Sequence, residues 1–166
     1  MSDAPTIKDF VKTDHGKFNI EISTFIKASP ETVYGILSNN ESFEEFMSCK
    51  IKEEIKPGGP INFIFDVAYT DENGVTHDPP AISTGKIMDM IPNELFSFTW
   101  GDGRGFNKDF LPGSTLVEFK IKPETQDGVD GCRVTIHHSD LLSEHMAKDH
   151  SGGWQYHLQN CINKFA

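Results

Sequence analysis

The C-terminal stretch from Ser151 to Ala166 constrains the fold of this chain most, because its apolar residues follow a helical period. They are Trp154, Leu158, Ile162 and Phe165, which follow one another at spacings of four, four and three residues. This spacing predicts an amphipathic helix, which at ~1.5 Å per residue would be roughly 24 Å long. Since most of the upstream sequence has the pattern of strands with one apolar face, we predict an antiparallel sheet curled around this helix.

Upstream of this stretch, apolar and polar residues alternate with the period of two that half-buried strands show. The predicted strands form a meander and cover residues 18–26, 61–69, 82–91, 95–100, 115–121 and 132–138. A surface loop with a small hairpin at its tip is predicted over residues 70–80. The predicted fold class is α+β, with a flexible N-terminal segment over residues 1–16 and a single domain over residues 17–166.

Two short helices are predicted directly after the first strand. Ser29 is a favoured N-cap residue, and Pro30 suits the first helical position, where a missing N–H is harmless. These residues predict a helix from Pro30 to about Leu37. Phe43 and Phe46 then share one face of a second helix, whose glutamates would face water.

The composition restricts the partners and the cellular location that we expect. A formal net charge of −10 argues against a nucleic acid or an anionic membrane as the partner, because both require clustered Lys and Arg. Cys49, Cys132 and Cys161 are far apart, which argues against a disulfide framework and indicates a reducing cytoplasm. We expect neither a signal peptide nor a membrane span. Thirteen phenylalanines predict large aromatic surfaces in the interior.

Several sequence blocks resemble those of a known family, in the same order along the chain. The blocks are ASPETVYGILS at 28–38, Pro-Gly-Gly at 57–59, GKIMDMIPNELFSFTW at 85–100, STLVEFKIKP at 114–123, GCRVTIHHSDL at 131–141 and H-x-x-G-W-x-x-x-L at 150–158. Together they resemble the activator of heat shock protein 90 ATPase homologues, within the START-like, birch-pollen-allergen-like superfamily. The resemblance implies the helix-grip fold, in which a curved antiparallel sheet wraps around a long C-terminal helix and often leaves a cavity between them.

The side chains expected to face the interior of this fold are the candidate ligand-binding residues. They are Phe63, Phe65, Phe96, Phe98, Trp100, Phe119, His138, Trp154, His157 and Leu158. The aromatic residues either pack against one another as a core or line a pocket for a flat apolar ligand with one polar group. The sequence leaves both interpretations open.

The histidines near the C-terminus allow more than one chemical interpretation. His138 either orients a ligand in a cavity or is a core histidine bonded to the backbone. His150, His157 and Cys161 have the residue types of a zinc site. We expect no metal and no cofactor, however: Trp154 lies in the middle of this set, and the Gly152–Gly153 pair is a candidate helix break between His150 and the other two residues.

The leading hypothesis from the sequence is a cytoplasmic, cofactor-free protein that binds a small hydrophobic or aromatic molecule between helix and sheet, without catalysis. Two alternatives stay open. The first, which the resemblance implies, is a protein-interaction module that acts on a chaperone of the heat shock protein 90 type. The second is an aromatase- or cyclase-like enzyme, which would need an acid–base group such as His138 deep in the pocket.

Overall fold

The described residues form a seven-stranded antiparallel sheet, two short helices and one long C-terminal helix. A computed structural model describes residues 5–71 and 73–166. The strands are β1 Thr6–Lys12, β2 Phe18–Ile26, β3 Pro60–Phe65, β4 Tyr69–Thr70, β5 Thr76–His77, β6 Ala81–Ile91, β7 Leu95–Trp100, β8 Thr115–Gln126 and β9 Val129–Leu141, and the helices are α1 Pro30–Ser38, α2 Asn40–Met47 and α3 Glu144–Lys164. The large sheet has the order β1-β2-β9-β8-β7-β6-β3, whereas β4 and β5 pair as a separate hairpin. The predicted α+β class is confirmed.

The two short helices begin at the side-chain caps that the local sequence provides. The hydroxyl oxygen of Ser29 accepts the backbone N–H of Thr32 at 3.1 Å, as expected for an N-cap. Asn39 ends α1 and caps α2, since its Oδ1 accepts the backbone N–H of Ser42 at 3.3 Å. The short connection turns α2 so that Phe43 is fully buried against the sheet.

The C-terminal helix α3 begins earlier than the sequence predicts and continues through the glycine pair. Its N-cap is Ser143, whose hydroxyl oxygen accepts the backbone N–H of Met146 at 3.1 Å. The Gly152–Gly153 pair, which the sequence offers as a candidate helix break, does not interrupt α3. Each glycine costs about 1 kcal/mol relative to alanine, but burial of the apolar face on both sides of the pair outweighs that cost. Among the described residues, no helix combines the length and the apolar character needed to cross a bilayer.

The N-terminal segment, for which the sequence predicts a flexible stretch over residues 1–16, contains the first strand of the sheet. Residues 6–12 form β1, which pairs with β2 along the outer edge of the sheet. Residues 1–4 lie outside the described residues. Because β1 depends on backbone hydrogen bonds to a strand later in the chain, its own short and mostly polar sequence gives little sign of it.

The backbone of β6 passes so close to β7 at Gly85 that a side chain would not fit. A Cβ atom there would lie 1.8 Å from the carbonyl oxygen of Thr99. We expect Gly85→Ala to lower the free energy of unfolding by about 3 kcal/mol or more, because backbone atoms must move apart. Gly35→Ala in α1 is the control, since its Cβ would contact nothing within 4 Å. Urea denaturation compares the two variants, and equal stabilities would contradict the close approach.

Candidate functional site

A cavity of about 470 Å³ lies between α3 and the part of the molecule formed by β3, β4, β6 and the end of β7. Its aromatic wall consists of Phe65, Tyr69, Trp100, Phe106, Phe110 and Trp154. Its polar wall includes Thr70, Ser83, Asp102, Asp149, His150 and His157. The volume and the mainly apolar lining with a few polar groups are typical of sites for small organic ligands.

One side of the cavity is built by loops rather than by the sheet. The rings of His77 and Phe106 are stacked with their centroids 3.9 Å apart, and the ring of Tyr69 lies nearly parallel to that of Phe106. The Cζ atom of Arg104 lies 4.5 Å from the centroid of Phe106, and its guanidinium donates to the carbonyl oxygen of Pro80 at 2.9 Å. These contacts hold the β4–β5 hairpin against the loop that follows β7.

Two tryptophan–histidine pairs join α3 to the sheet beside the cavity. The indole N–H of Trp154 donates to His138 Nδ1 at 3.1 Å, and that of Trp100 donates to His150 Nε2 at 3.1 Å. Thr115 links the two pairs, since its Oγ1 lies 2.8 Å from His138 Nε2 and 2.7 Å from the carbonyl oxygen of Trp100. This tryptophan–histidine network connects β7, β8, β9 and α3.

The donors and acceptors of this network determine the protonation of both histidines. An indole N–H can only donate, so His138 Nδ1 and His150 Nε2 act as acceptors. The hydroxyl of Thr115 donates to the Trp100 carbonyl, and therefore accepts the Nε2–H of His138. His150 Nδ1 lies 2.9 Å from the carbonyl oxygen of Met146 and donates to it. Both imidazoles are neutral, and all four of their nitrogens are hydrogen-bonded.

Burial also opposes a positive charge on the histidines of this region. Burial lowers the pKa of His138 well below its usual value, and the neighbouring His150 lowers it further. Burial likewise lowers the pKa of His150, although its bond to Met146 and the charge of Asp149 partly oppose this effect. On the cavity wall, burial lowers the pKa of His157 to about 4. All three histidines are therefore uncharged at neutral pH.

The family model described as "Activator of Hsp90 ATPase homolog 1-like protein" matches residues 27–164. The chain belongs to this family. The match begins directly after β2 and ends with the last residue of α3, so it includes all the residues that line the cavity. The family resemblance inferred from the sequence blocks is confirmed. No curated protein sequence matches the chain.

Solved structures of bacterial proteins share the fold of this member of the Activator of Hsp90 ATPase homolog 1-like family. The protein MLL2253 of Mesorhizobium loti has a TM-score of 0.66 at 16% identity, over 87% of this chain and 94% of that one. CalU16 of Micromonospora echinospora has a TM-score of 0.64 at 17% identity, over 98% and 85%. The Aha1 dimer of Colwellia psychrerythraea has a TM-score of 0.59 at 21% identity, over 89% and 95%. At these identities the likeness shows the fold alone.

The structure places four of the ten predicted ligand-binding residues on the cavity wall. These residues are Phe65, Trp100, Trp154 and His157. His138 does not line the cavity and is instead fully buried in the tryptophan–histidine network. Leu158 does not line the cavity either and lies one helical turn beyond Trp154, where it borders a void of about 10 Å³ next to α1 and α2. Whether the four residues on the wall contact a ligand stays a prediction.

The four remaining predicted residues form a filled aromatic core. Phe63, Phe96, Phe98 and Phe119 are fully buried and surround Phe43 of α2, with ring centroids 5.3 to 6.4 Å from it. Such spacings are those of packed aromatic pairs, which leave no room for a ligand. In this family member, the aromatic side chains thus divide into a core beneath α2 and a cavity wall beside α3.

Sequence reasoning missed several residues of the cavity wall. Phe106 and Phe110 belong to a segment that the sequence indicates only as a loop, Tyr69 is the last residue of the strand predicted over residues 61–69, and Asp149 precedes the predicted helix. Phe106 and Phe110 are large apolar residues within a loop that is otherwise rich in glycine and polar residues. This contrast is the signal that could have identified them, because an exposed loop seldom retains such residues without a packing role.

The three residues considered for a zinc site are not brought together as ligands. Both nitrogens of His150 are hydrogen-bonded within the network. Cys161 instead borders the small void near α1, and burial raises the pKa of its thiol to about 11. Among the described residues, no group of three or more His, Cys, Asp and Glu side chains has an arrangement that could hold a metal ion.

Proposed function

We propose that the chain binds a small hydrophobic or aromatic molecule in the cavity between α3 and the sheet, without catalysing a reaction. The observation that carries this proposal is an open volume of about 470 Å³ with an aromatic wall, next to a core that is otherwise filled. A flat ligand placed there would bury apolar surface on both of its faces, which is the main source of affinity for such molecules.

The state of His138 favours binding over catalysis. A general acid or base must reach the proton that it transfers and must change its charge during the reaction. His138 lies outside the cavity wall and is bonded at both nitrogens, to Trp154 and to Thr115. Protonation at Nδ1 would bring an N–H against the indole N–H of Trp154. The histidine therefore supports the wall of the site rather than the chemistry of an enzyme.

A pair of neighbouring glycines provides a direct test of the proposed site. Gly153 lines the cavity, whereas Gly152 does not, and a Cβ atom at either position would contact nothing within 4 Å. We expect Gly153→Leu to weaken binding of 9-anthracenemethanol, a neutral aromatic alcohol, by at least about tenfold, because its side chain would occupy the cavity. Fluorescence titration of the purified protein measures the dissociation constant.

Gly152→Leu is the matched control for this experiment. Both substitutions replace a mid-helix glycine with a good helix former, so both are expected to raise the melting temperature. Only Gly153→Leu should lose the probe, which separates a filled cavity from a damaged fold. Equal affinities for the two variants, or no binding by the unmodified protein, would contradict the proposed site.

The family description favours a second candidate function, namely activation of a chaperone ATPase of the Hsp90 type. The ATPase rate of the purified chaperone, with and without this protein, tests it directly. If the rate rises equally with Gly153→Leu, the activity belongs to the surface of the protein. If the rise is lost with Gly153→Leu and kept with Gly152→Leu, the cavity and the chaperone are linked.

A further inference from the structure

We propose that the cavity selects ligands that carry an amine or another organic cation, and that it disfavours carboxylates. This inference rests on the proposed function and names the class of ligand. Among the described residues that line the cavity, Asp102 and Asp149 have acidic side chains, and none is Lys or Arg. An anionic group would therefore enter a site without a positive partner, and burial of an unpaired charge is costly.

The polar groups of the wall do not supply a positive charge. His150 is neutral, because it accepts from Trp100 and donates to a backbone carbonyl. His157 is held neutral by its burial. Arg104 lies next to Phe106 but not on the cavity wall, and its guanidinium donates to the carbonyl oxygens of two loop residues.

The two carboxylates differ in how far they are free to meet a ligand. Asp102 is engaged by its own loop, since its oxygens accept the backbone N–H groups of Arg104 at 2.9 Å and Asn107 at 2.7 Å. Asp149 is exposed and has neither a hydrogen bond nor an ion pair with another described residue. It therefore provides an unpaired negative charge next to His150 on the cavity wall.

The aromatic part of the wall favours the same class of ligand. The rings of Trp100 and Trp154 lie 5.5 Å apart at an interplanar angle of 53°, and those of Phe65 and Trp100 lie 6.2 Å apart at 64°. Because these rings are tilted relative to one another, they present both faces and edges along the cavity wall. The faces of aromatic rings are negative, so they attract cations and repel carboxylates. Aromatic rings combined with a free carboxylate thus recognise an amine attached to an apolar body.

Three probes with one aromatic body and different charges test this selectivity. They are 9-(aminomethyl)anthracene, 9-anthracenemethanol and 9-anthracenecarboxylate, which are cationic, neutral and anionic at neutral pH. We expect the amine to bind at least about tenfold more tightly than the carboxylate, with the alcohol between them. Asp149→Asn should weaken binding of the amine by about fivefold and leave that of the alcohol unchanged.

Glu94→Gln is the control for the change in net charge. Glu94 is exposed in the turn between β6 and β7, at the opposite end of β7 from Trp100, so its loss should affect none of the three affinities. A carboxylate that binds as tightly as the amine would overturn the inference and leave the proposed cavity function intact. An amine whose affinity is unchanged in Asp149→Asn would overturn the role of this carboxylate. Binding of none of the three probes would overturn both proposals.

Discussion

Thr115→Val is expected to lower the free energy of unfolding by about 3 kcal/mol, although it replaces one hydroxyl by a methyl group of similar size. Thr115 is buried, and its hydroxyl connects His138 Nε2 to the carbonyl oxygen of Trp100. Valine would leave the imidazole N–H without an acceptor and would remove one bond from the carbonyl. A buried polar group without a partner costs about 1 to 3 kcal/mol, and two groups are affected.

Two further variants separate the loss of hydrogen bonds from the change in packing. Thr115→Ser keeps the hydroxyl and loses only a methyl group, so it should cost about 1 kcal/mol. His138→Leu removes the donor that Thr115 satisfies, although it also leaves the indole N–H of Trp154 without a partner. The double variant Thr115→Val/His138→Leu should therefore cost less than the sum of the single changes. Urea denaturation compares these four variants with the unmodified protein, and strict additivity would contradict the network.

The elements of the fold that local sequence encodes could be predicted. The alternation of apolar residues predicts β2 because one face of that strand is buried, whereas Asn19, Glu21 and Ser23 on the other face are only half-buried. Ser29 and Pro30 give the start of α1, because a cap and a first-turn proline act within a few residues. The apolar stripe of α3 shows that this helix packs on one side. Each signal depends on neighbours in sequence, and each prediction is confirmed.

The sequence could not show which aromatic residues belong to the core and which line the cavity. This depends on how much of the sheet α2 covers. Phe63 and Phe65 are two residues apart on β3 and share one face of the strand. Phe43 of α2 covers Phe63, with ring centroids 5.8 Å apart, so that Phe63 is fully buried. Phe65 lies beyond this contact and reaches the cavity wall. No sequence pattern distinguishes these two residues.

The hydrogen bonds of the tryptophan–histidine network also depend on information that the sequence does not carry. In the pairing of β8 with β9, His138 lies opposite Val117, which places Thr115 at a diagonal position on the same face. A shift of one residue in this register would move His138 to the other face of the sheet. The sequence indicated that His138 places a polar group in the interior, but the register of β8 and β9 determines that Thr115 is its partner.

The stability of the protein is expected to fall steeply as the pH is lowered from about 6.5 to 5. An unfolded histidine has a pKa near 6.5 and binds a proton in this range. Burial lowers the pKa values of His138, His150 and His157 in the folded protein, to about 4 for His157. The unfolded state then binds more protons than the folded state, so acid favours unfolding. Each such histidine contributes up to about 1.4 kcal/mol per pH unit.

Urea denaturation at several pH values measures this dependence, to which His157 alone should contribute up to about 1.4 kcal/mol per pH unit. His157→Gln is expected to reduce the slope by up to about 1.4 kcal/mol per pH unit, because one histidine no longer takes up a proton on unfolding. His145→Gln removes an exposed histidine of the same helix and serves as the control. Carboxylates with lowered pKa values, such as Glu53 and Glu124, add their own contributions only in more acidic solution. A slope that His157→Gln leaves unchanged would show that this imidazole is protonated in the folded protein, in contradiction to its burial on the cavity wall.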